Sequence, residues 1–394
     1  AALLADALPA LIAKLHWPKP MRWGREKTPF VRPVHWIVCA LDETCVPFEF
    51  AGVATGLDSR GHRFHGPESF TATSWASLEA GLSERTVMLS SAQRKETIRE
   101  QVRSLAESIG GIPVKDEALL DEVTHLVEWP IGVLASFEAE LLKLPRQAVV
   151  TPMRVHQRYF PIEDQNGNLM PNFVVIANTH TRDEEVVAAG NARVLRARLA
   201  DARFFYENDL KTPLESLLPQ LETRIWLAKL GSVRQKVERV TEMVTRLGGD
   251  DDAVRTARLC KADLASEMVG EFAKLQGEMG RVYALAQGET PAVATGISEH
   301  YLPKQAGDAI PTTLSGTLVA LADRMDSIVG CFGIDLKPTG SKDPYALRRQ
   351  ALGVIRILKD TPHDIPLDLT TWLDQAMVGY GDQIDGDCRE DIVE

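Results

Sequence analysis

The hydrophobic periodicity of this 394-residue chain changes near residue 180, and this change limits the folds that the chain can adopt. Before that point, runs such as VHWIVCAL and VPFEFAGV are typical of strands, and one longer helical stretch lies between strand-like pieces. From Pro213 onward, apolar residues recur every three or four positions, which is typical of amphipathic helices. The pattern predicts an α+β domain over residues 30–185 and a mostly α-helical domain over residues 213–394. Residues 1–29 are predicted to form a helical segment, and residues 186–212 a connector helix.

Turn signals divide these domains into predicted elements. Asp42-Glu43-Thr44 separates two strand-like runs within residues 31–53 and predicts a hairpin. Residues 77–109 have helical periodicity, and Gly110-Gly111 can supply the left-handed helix end. Residues 149–150 and 173–177 are predicted strands, and the turn at residues 164–167 joins the arms of a second hairpin. In the second domain, helices are predicted over residues 214–247, 253–272, 291–301, 313–332 and 344–359.

The connector helix has an apolar stripe bordered by arginines. The stripe consists of Leu195, Leu199, Ala202, Tyr206 and Leu210. Arg196 and Arg203 lie along one edge of it, and Arg198 lies along the other. Guanidinium groups on a packed helix are preorganised for bidentate contacts to phosphate or carboxylate. The alternative is that these arginines are solvated or form ion pairs with acids of the same segment, Asp201, Glu207 and Asp209.

Composition and charge exclude several classes of protein. The net charge is −11, from 44 basic and 55 acidic residues, so any attraction to nucleic acid must come from local patches. Residues 141–160 form one such patch, because they contain five basic or histidine side chains and no acidic one. The five scattered cysteines form no Cys-x-x-Cys pair and no complete disulfide framework, so we expect a reducing, cytoplasmic compartment. No run of about 18 apolar residues predicts a membrane span.

Two short motifs combine basic, histidine and aromatic side chains, a mixture that can hold phosphate and stack on an unpaired base. They are RGHRF at residues 60–64 and HQRYFP at residues 156–161. The alternative is a structural role, in which the aromatic residues Phe64, Tyr159 and Phe160 lie in the core. In the same alternative, Arg60 and Arg158 form ion pairs within the fold. We expect the three aromatic side chains to lie in the core. His62 and His65 have H-x-x-H spacing without further ligands nearby, so we interpret them as non-metal residues.

A third basic segment, PTGSKDPYALRR at residues 338–349, opens a predicted helix. It carries Lys342, Arg348 and Arg349 against one acidic residue. A helix N-terminus with adjacent cations can bind an anion. The segment is not a P-loop, because the G-x-x-x-x-G-K-[ST] frame is missing.

The chain resembles one known family over nearly all of its length. The blocks that carry the resemblance are MRWG at 21–24, FVRPVHW at 30–36, RGHRF at 60–64, LLDEVTHLVEWP at 119–130, HQRYFP at 156–161, GNARVLRARLADARFFYENDLK at 190–211, KADLASEMVGEF at 261–272, ALADRMDSIVGCFGI at 320–334 and PTGSKDPYALRRQALGVIRIL at 338–358. They resemble the beta subunit of bacterial-type heterotetrameric glycyl-tRNA synthetase, and the chain is identified as a fragment without that subunit's N- and C-terminal parts. In this family's terms, the first domain resembles a B3/B4-like module and the second resembles an HD-type domain.

The resemblance implies a positioning role. The chain is expected to bind tRNA(Gly) and to place it for ATP-dependent glycylation at the active site of an alpha subunit, within an α2β2 heterotetramer. ATP and Mg²⁺ are then expected at the alpha subunit, and no cofactor is expected on this chain. No catalytic residue is assigned, because the HIGH, KMSKS and paired-arginine signatures of synthetase cores are not found in the sequence. The residues expected to contact RNA are Arg60, His62, Arg63, Arg154, His156, Arg158, Arg196, Arg198, Arg203, Lys342, Arg348 and Arg349.

Two alternative functions remain open at the level of sequence. The first is metal-dependent phosphohydrolysis by the HD-type domain with an accessory domain, which needs converging imidazole and carboxylate ligands. The resemblance places Lys236 near the first ligand and Cys260-Lys261 at the His-Asp pair, and it preserves only Asp323, so no metal is expected. The dipeptide His363-Asp364 is predicted to lie in a loop between prolines. The second alternative is an assembly scaffold whose motifs contact other subunits.

Overall fold

The computed structural model describes residues 1–340, 342–385 and 388–393. The chain divides into two compact units. The first consists of residues 1–139 and 153–195, and the second of residues 140–152 and 196–394.

The first unit mixes short strands with helices. Its strands are β1 (Ile37–Val38), β2 (Ala40–Leu41), β3 (Thr44–Cys45), β4 (Glu49–Phe50), β5 (Val53–Gly56), β6 (Asp58–Arg60), β7 (Ser69–Thr71), β8 (Ile112–Pro113), β9 (Ile131–Ser136), β10 (Phe160–Glu163) and β11 (Leu169–Ala177). Its helices are α1 (Ala2–Ala13), α2 (Trp75–Glu84), α3 (Ser91–Glu107) and α4 (Glu117–Thr124).

The core of the first unit lies between one sheet and two helices. The strands follow the order β8-β10-β11-β9, and every neighbouring pair is antiparallel. Helix α3 packs on this sheet and on α4. Its apolar face is fully buried at Ile98 and Ala106, and it meets Ile162 and Val174 from the sheet. The remaining strands form a three-stranded sheet of order β1-β5-β4 and the separate pairs β2-β3 and β6-β7.

Helix α6 (Glu184–Asp209) begins in the first unit and ends in the second. The predicted apolar stripe of this helix is confirmed at Leu195, Leu199 and Ala202, which are fully buried. The edge positions Arg196 and Arg203 are exposed. The amphipathic pattern therefore predicted both the helix and the face that it buries.

The second unit is nearly all helix. Besides the end of α6, it contains α5 (Arg146–Thr151), α7 (Leu214–Leu217), α8 (Val233–Arg246), α9 (Asp251–Leu259), α10 (Glu267–Glu271), α11 (Glu278–Ala286), α12 (Pro291–Glu299), α13 (Leu314–Gly333), α14 (Leu347–Asp360), α15 (Leu369–Tyr380) and α16 (Cys388–Val393). A small hairpin, β12 (Ile225–Leu227) with β13 (Gly231–Ser232), precedes α8.

Helix α13 is the centre of the second unit. It packs against α8, α9, α12, α14 and α15 and is buried along nearly its whole length. Val319, Leu321 and Val329 join Trp372 from α15 in the core. A helix that is buried on several sides is apolar around most of its circumference, so any charged residue on it needs a partner.

The α+β fold class followed by a helical region is confirmed, whereas several predicted elements differ in detail. The predicted helix over residues 77–109 is two helices, because the chain turns after Arg85, Thr86 has a φ of 61°, and Ser90 caps a new helix. Residues 149–150 are helical, in α5, so the first arm of the second hairpin is β10 instead. The predicted turn is correct, with Gly167 at a φ of 81°. Val149 and Val150 are β-branched and favour a strand by composition, but the tertiary context places them in a helix.

The remaining predictions of secondary structure are mostly right in type and wrong in length. The hairpin turn at Asp42-Glu43 is present between β2 and β3, but these strands are only two residues long. Residues 214–247 are not one helix, since a 3₁₀ turn and the β12-β13 hairpin precede α8. Residues 253–272 are also interrupted, between α9 and α10. None of the helices in the described part of the chain has the length and apolar composition that a membrane crossing needs.

Candidate functional site

A chain of buried charges joins helices α8 and α13. Lys236 and Arg239 lie three residues apart on α8, and Asp323 and Asp326 lie three residues apart on α13, so each pair occupies one helix face. The Lys236 Nζ donates to Asp326 Oδ2 at 2.8 Å, and it lies 3.2 Å from Asp323 Oδ1. The Arg239 Nε donates to Asp326 Oδ1 at 2.6 Å. Asp326 is fully buried, so this carboxylate depends on its two cations for compensation.

The chain of charges continues through Lys261 to His300. The Lys261 Nζ donates to Asp323 Oδ2 at 3.0 Å and to His300 Nε2 at 2.8 Å. The other ring nitrogen of His300, Nδ1, donates to the Ile297 carbonyl at 2.6 Å. These contacts fix the neutral tautomer with the proton on Nδ1, because Nε2 accepts from an ammonium group.

The electrostatic environment shifts the pKa values of this cluster strongly. Burial alone would raise the pKa of Asp323, but the ammonium groups of Lys236 and Lys261 outweigh it and hold the pKa well below its usual range. Burial, and then the Lys261 charge, hold the pKa of His300 well below 6.5. Burial raises the pKa of Cys260 to about 12, so this thiol stays protonated. Asp323 is therefore ionised, and His300 and Cys260 are neutral.

The geometry of the cluster is unlike that of a metal site. Two ammonium groups flank the Asp323 carboxylate at hydrogen-bond distance, and a cation at this place would be repelled by both. Among the described residues, no group of three or more histidine, cysteine, aspartate or glutamate side chains is arranged to hold a metal ion. His363-Asp364 lies in a loop, as predicted, and the His363 Nε2 is 3.0 Å from the Thr312 carbonyl oxygen.

The RGHRF motif follows strand β6 and divides into buried and exposed side chains. His62 is buried, its Nε2 donates to the Asn178 carbonyl at 2.7 Å, and its Nδ1 accepts from the backbone of Phe64. Arg60 and Arg63 are exposed. The prediction that Phe64 lies in the core is wrong: its ring is 71% exposed, and the Arg63 guanidinium lies 5.6 Å from the ring centroid. A backbone loop fastened by His62 thus presents an arginine and an aromatic ring to solvent.

The HQRYFP motif and the preceding Arg154 are tied to helix α4 by ion pairs. Arg154 bonds Asp116, the N-cap residue of α4, and the Arg158 Nε donates to Glu122 Oε1 at 2.9 Å. His156 is partly buried. The core prediction for the aromatic residues of this motif is confirmed, since Tyr159 and Phe160 are each 4% exposed. Arg154 and Arg158 therefore have carboxylate partners within their own unit, and for Arg158 this is the ion pair that the structural alternative predicted.

Two arginines of α6, Arg198 and Arg203, have weak carboxylate partners. Arg198 Nη1 lies 3.5 Å from Glu271 Oε1, and Arg203 Nε lies 3.9 Å from Glu207 Oε1, one turn further along the helix. All four side chains are 42% to 64% exposed. Exposed pairs of this kind contribute about 0–1 kcal/mol, so either arginine can exchange its carboxylate for a phosphate at little cost.

An acidic residue of the basic loop before α14 bonds the backbone N–H groups at the start of that helix. The Asp343 carboxylate accepts from the backbone N–H groups of Leu347 and Arg348, which are the groups that an external anion would use. Arg348 also donates to the Gly340 carbonyl at 2.7 Å. Lys342 and Arg349 have exposed side chains. The predicted backbone anion site is therefore occupied by the chain itself, and only the side chains remain for a ligand.

The predicted RNA contacts occur as separate groups on both units. Arg60, His62, Arg63, Arg154, His156 and Arg158 belong to the first unit, and Arg196, Arg198, Arg203, Lys342, Arg348 and Arg349 belong to the second. Sequence reasoning missed Arg239, His300 and Asp326 in the buried cluster. The matched three-residue spacing of cations on α8 and acids on α13 was a signal that could have identified part of it.

Comparison with known proteins gives one consistent result. A family model described as glycyl-tRNA synthetase beta subunit matches residues 1–393. The glycine–tRNA ligase beta subunit of Desulforamulus reducens is 46% identical over 393 residues, which cover 98% of this chain and 56% of that protein. The corresponding protein of Geobacter sulfurreducens is 48% identical over 364 residues, covering 91% and 53%. That of Trichlorobacter lovleyi is 46% identical over 371 residues, covering 93% and 54%.

These matches place the chain among the subunits of aminoacyl-tRNA synthetases. Within that class, it belongs to the glycyl-tRNA synthetase beta subunit family. The chain spans about half the length of the relatives that it matches.

Proposed function

We propose that this chain is a tRNA-binding part of a glycyl-tRNA synthetase beta subunit. In this role it holds tRNA(Gly) so that glycine is transferred at the active site of an alpha subunit, where ATP and Mg²⁺ act. The assembly is an α2β2 heterotetramer in the cytoplasm. The chain contributes position and no reacting side chain, and correct placement of two reactants can supply several kcal/mol of a reaction barrier.

The observation that carries the proposal, within the family, is the row of arginines on α6. The helix is anchored by buried Leu199 and Ala202, so its exposed arginines start from a fixed backbone. The carboxylate partners of Arg198 and Arg203 are exposed and loosely held, at 3.5 and 3.9 Å. Phosphate groups can replace such partners, because a bidentate arginine–phosphate contact is stronger than a loose ion pair in water.

The experiment replaces Arg196, Arg198 and Arg203 singly with Ala in the complete beta chain and measures tRNA(Gly) affinity at several salt concentrations. Each lost phosphate contact is expected to weaken binding and to reduce the steepness of the logarithmic salt dependence by about 1. The buried stripe of α6 is unchanged, so the melting temperature is expected to stay close to that of the wild type. Charging of tRNA(Gly) by the complex with the alpha subunit is expected to fall in parallel.

A matched control comes from helix α3. Arg103→Ala removes an exposed arginine that is paired one turn away with Glu107 at 4.0 Å, much as Arg203 is paired with Glu207. This variant is expected to bind tRNA like the wild type. If all three α6 variants keep the wild-type affinity and salt slope, the phosphate contacts do not exist. If these variants instead lose association with the alpha subunit at unchanged tRNA affinity, the assembly-scaffold alternative is supported.

Metal-dependent phosphohydrolysis is not favoured as a second function. The reason is the position of the ammonium groups of Lys236 and Lys261, which contact the carboxylate that such a site would use as a ligand.

A further inference from the structure

A basic cleft opens beside the buried charge cluster in the second unit. Its volume is about 640 Å³, within the range of roughly 300–1,000 Å³ that is typical of small-molecule sites. Six cationic side chains line it: Lys236, Lys261, Lys274, Lys304, Arg324 and Arg349. Among the described residues, Asp323 is the one carboxylate in this lining. The cleft therefore has a large excess of positive charge.

The nearby carboxylates do not neutralise all of these cations. Asp323 is shared between Lys236 and Lys261, and Asp326, which lies outside the lining, is shared between Lys236 and Arg239. Arg324 is buried and bonds only carbonyl oxygens, including those of His300 and Tyr301 at 3.0 and 3.1 Å, so it forms no ion pair in the described part of the chain. An excess of converging cations over acids attracts an anion, and low-dielectric walls strengthen that attraction.

The side chains at the cleft opening add unpaired cations. Lys274, Lys304 and Arg349 are exposed. Their charged groups form no hydrogen bond or ion pair with any residue that the structure describes. They are free to contact a ligand without first breaking an ion pair.

Two orphaned donors line the same cleft. The Trp226 Nε1 and the Tyr301 hydroxyl are buried atoms without a hydrogen-bond partner among the described residues. Buried polar groups are nearly always paired in folded proteins, and each exception calls for an explanation. A bound acceptor, such as a phosphate oxygen, would satisfy either donor that it reaches. Their residues, with Val233, Leu264 and Pro303, also give the cleft an apolar wall that inorganic phosphate alone would leave unused.

We infer that this cleft binds a phosphorylated nucleoside, with its phosphate toward the cations and its organic part against the apolar wall. Two sources share this chemistry: a free nucleotide, and the unpaired terminal nucleotide of an RNA. The second source rests on the proposed function, whereas the first does not.

The test uses the complete beta chain without the alpha subunit and measures binding of adenosine monophosphate by calorimetry, with adenosine as the phosphate-free comparison. Saturable binding of the nucleotide and none of the nucleoside is expected. The double variant Lys274→Gln/Lys304→Gln is expected to weaken binding at least about tenfold, because it removes two charge-assisted contacts. Lys359→Gln, which removes an exposed cation of α14 outside the cleft lining, is the matched control and is expected to bind like the wild type.

Tyr301→Phe separates a ligand contact from a structural role. It removes an orphaned hydroxyl, so the folded protein loses no hydrogen bond and its melting temperature is expected to be unchanged or higher. Binding of adenosine monophosphate is nevertheless expected to weaken roughly two- to tenfold, which is the effect of one lost hydrogen bond. A nucleotide affinity that is equal in the wild type, Tyr301→Phe and the lysine double variant overturns the inference, and so does the absence of binding to the wild type.

Competition distinguishes the two sources. Displacement of the nucleotide by intact tRNA(Gly), but not by tRNA(Gly) lacking its 3′-terminal nucleotides, assigns the cleft to the RNA end. If neither form of tRNA(Gly) displaces the nucleotide, the cleft is assigned to a free nucleotide. Direct tRNA binding by the same preparation is measured separately, so a protein that binds tRNA but no nucleotide overturns this inference and leaves the proposed function standing.

Discussion

Asp326→Asn is expected to destabilise the helical unit severely. The Asp326 carboxylate is fully buried and bonds both Arg239, at 2.6 Å, and Lys236, at 2.8 Å. The amide keeps the shape but removes the charge, so Arg239 is left buried without an acidic partner, whereas Lys236 keeps Asp323 at 3.2 Å. Removing one partner of a buried ion pair costs about 3–5 kcal/mol.

The assay is calorimetric unfolding of the complete beta chain. For a unit of roughly 210 residues, a loss of this size lowers the melting temperature of its transition by about 6–20 °C. Asp360→Asn is the control, because Asp360 pairs with Arg356 at 3.8 Å on the surface of α14 and is worth about 0–1 kcal/mol. The double variant Arg239→Met/Asp326→Leu is expected to be less destabilised than Asp326→Asn, since no buried charge remains unpaired at that position. A cost below about 1 kcal/mol for Asp326→Asn would refute this account of the cluster.

Three further outcomes are expected. First, the pKa of His300 is depressed in the folded chain, so below pH 6.5 the unfolded chain binds a proton that the folded chain does not. As the pH is lowered from roughly 6.5 to 5, the free energy of unfolding of the wild type is therefore expected to fall, relative to that of His300→Asn, by up to about 1.4 kcal/mol per pH unit. Burial raises the pKa of Asp263 to about 6, so this residue increases the free energy of unfolding as the pH is lowered. It does so equally in the wild type and in His300→Asn, so parallel curves of stability against pH for the two proteins would contradict the prediction for His300. Second, the purified chain is expected to contain no stoichiometric metal by elemental analysis, and its melting temperature is expected to be insensitive to chelator; a marked decrease with chelator would show that a metal contributes to the fold. Third, the chain free of alpha subunit is expected to catalyse no glycine-dependent exchange of pyrophosphate into ATP, and any such exchange would disprove the purely positioning role.

Local sequence was sufficient for the fold class and for the elements whose signals are local. The stripe that includes Leu195, Leu199 and Ala202 predicted the buried face of α6, and Gly167 marked a turn that only a residue tolerant of positive φ forms easily. Tyr159 and Phe160 were correctly predicted as core residues. Such features depend on the spacing of neighbouring residues, which the sequence contains directly.

Tertiary structure alone decided which distant groups meet. Periodicity put Lys236 on one helix and Asp323 on another, but only the packing of α8 against α13 shows that they form an ion pair. The same limit explains Phe64, which is as apolar as Phe160 and yet is exposed, in a loop where His62 takes the buried position and its side chain bonds the Asn178 carbonyl. Residue type sets the free energy of burying a group, but its partners and its exposure depend on long-range packing, which no local pattern in the sequence specifies.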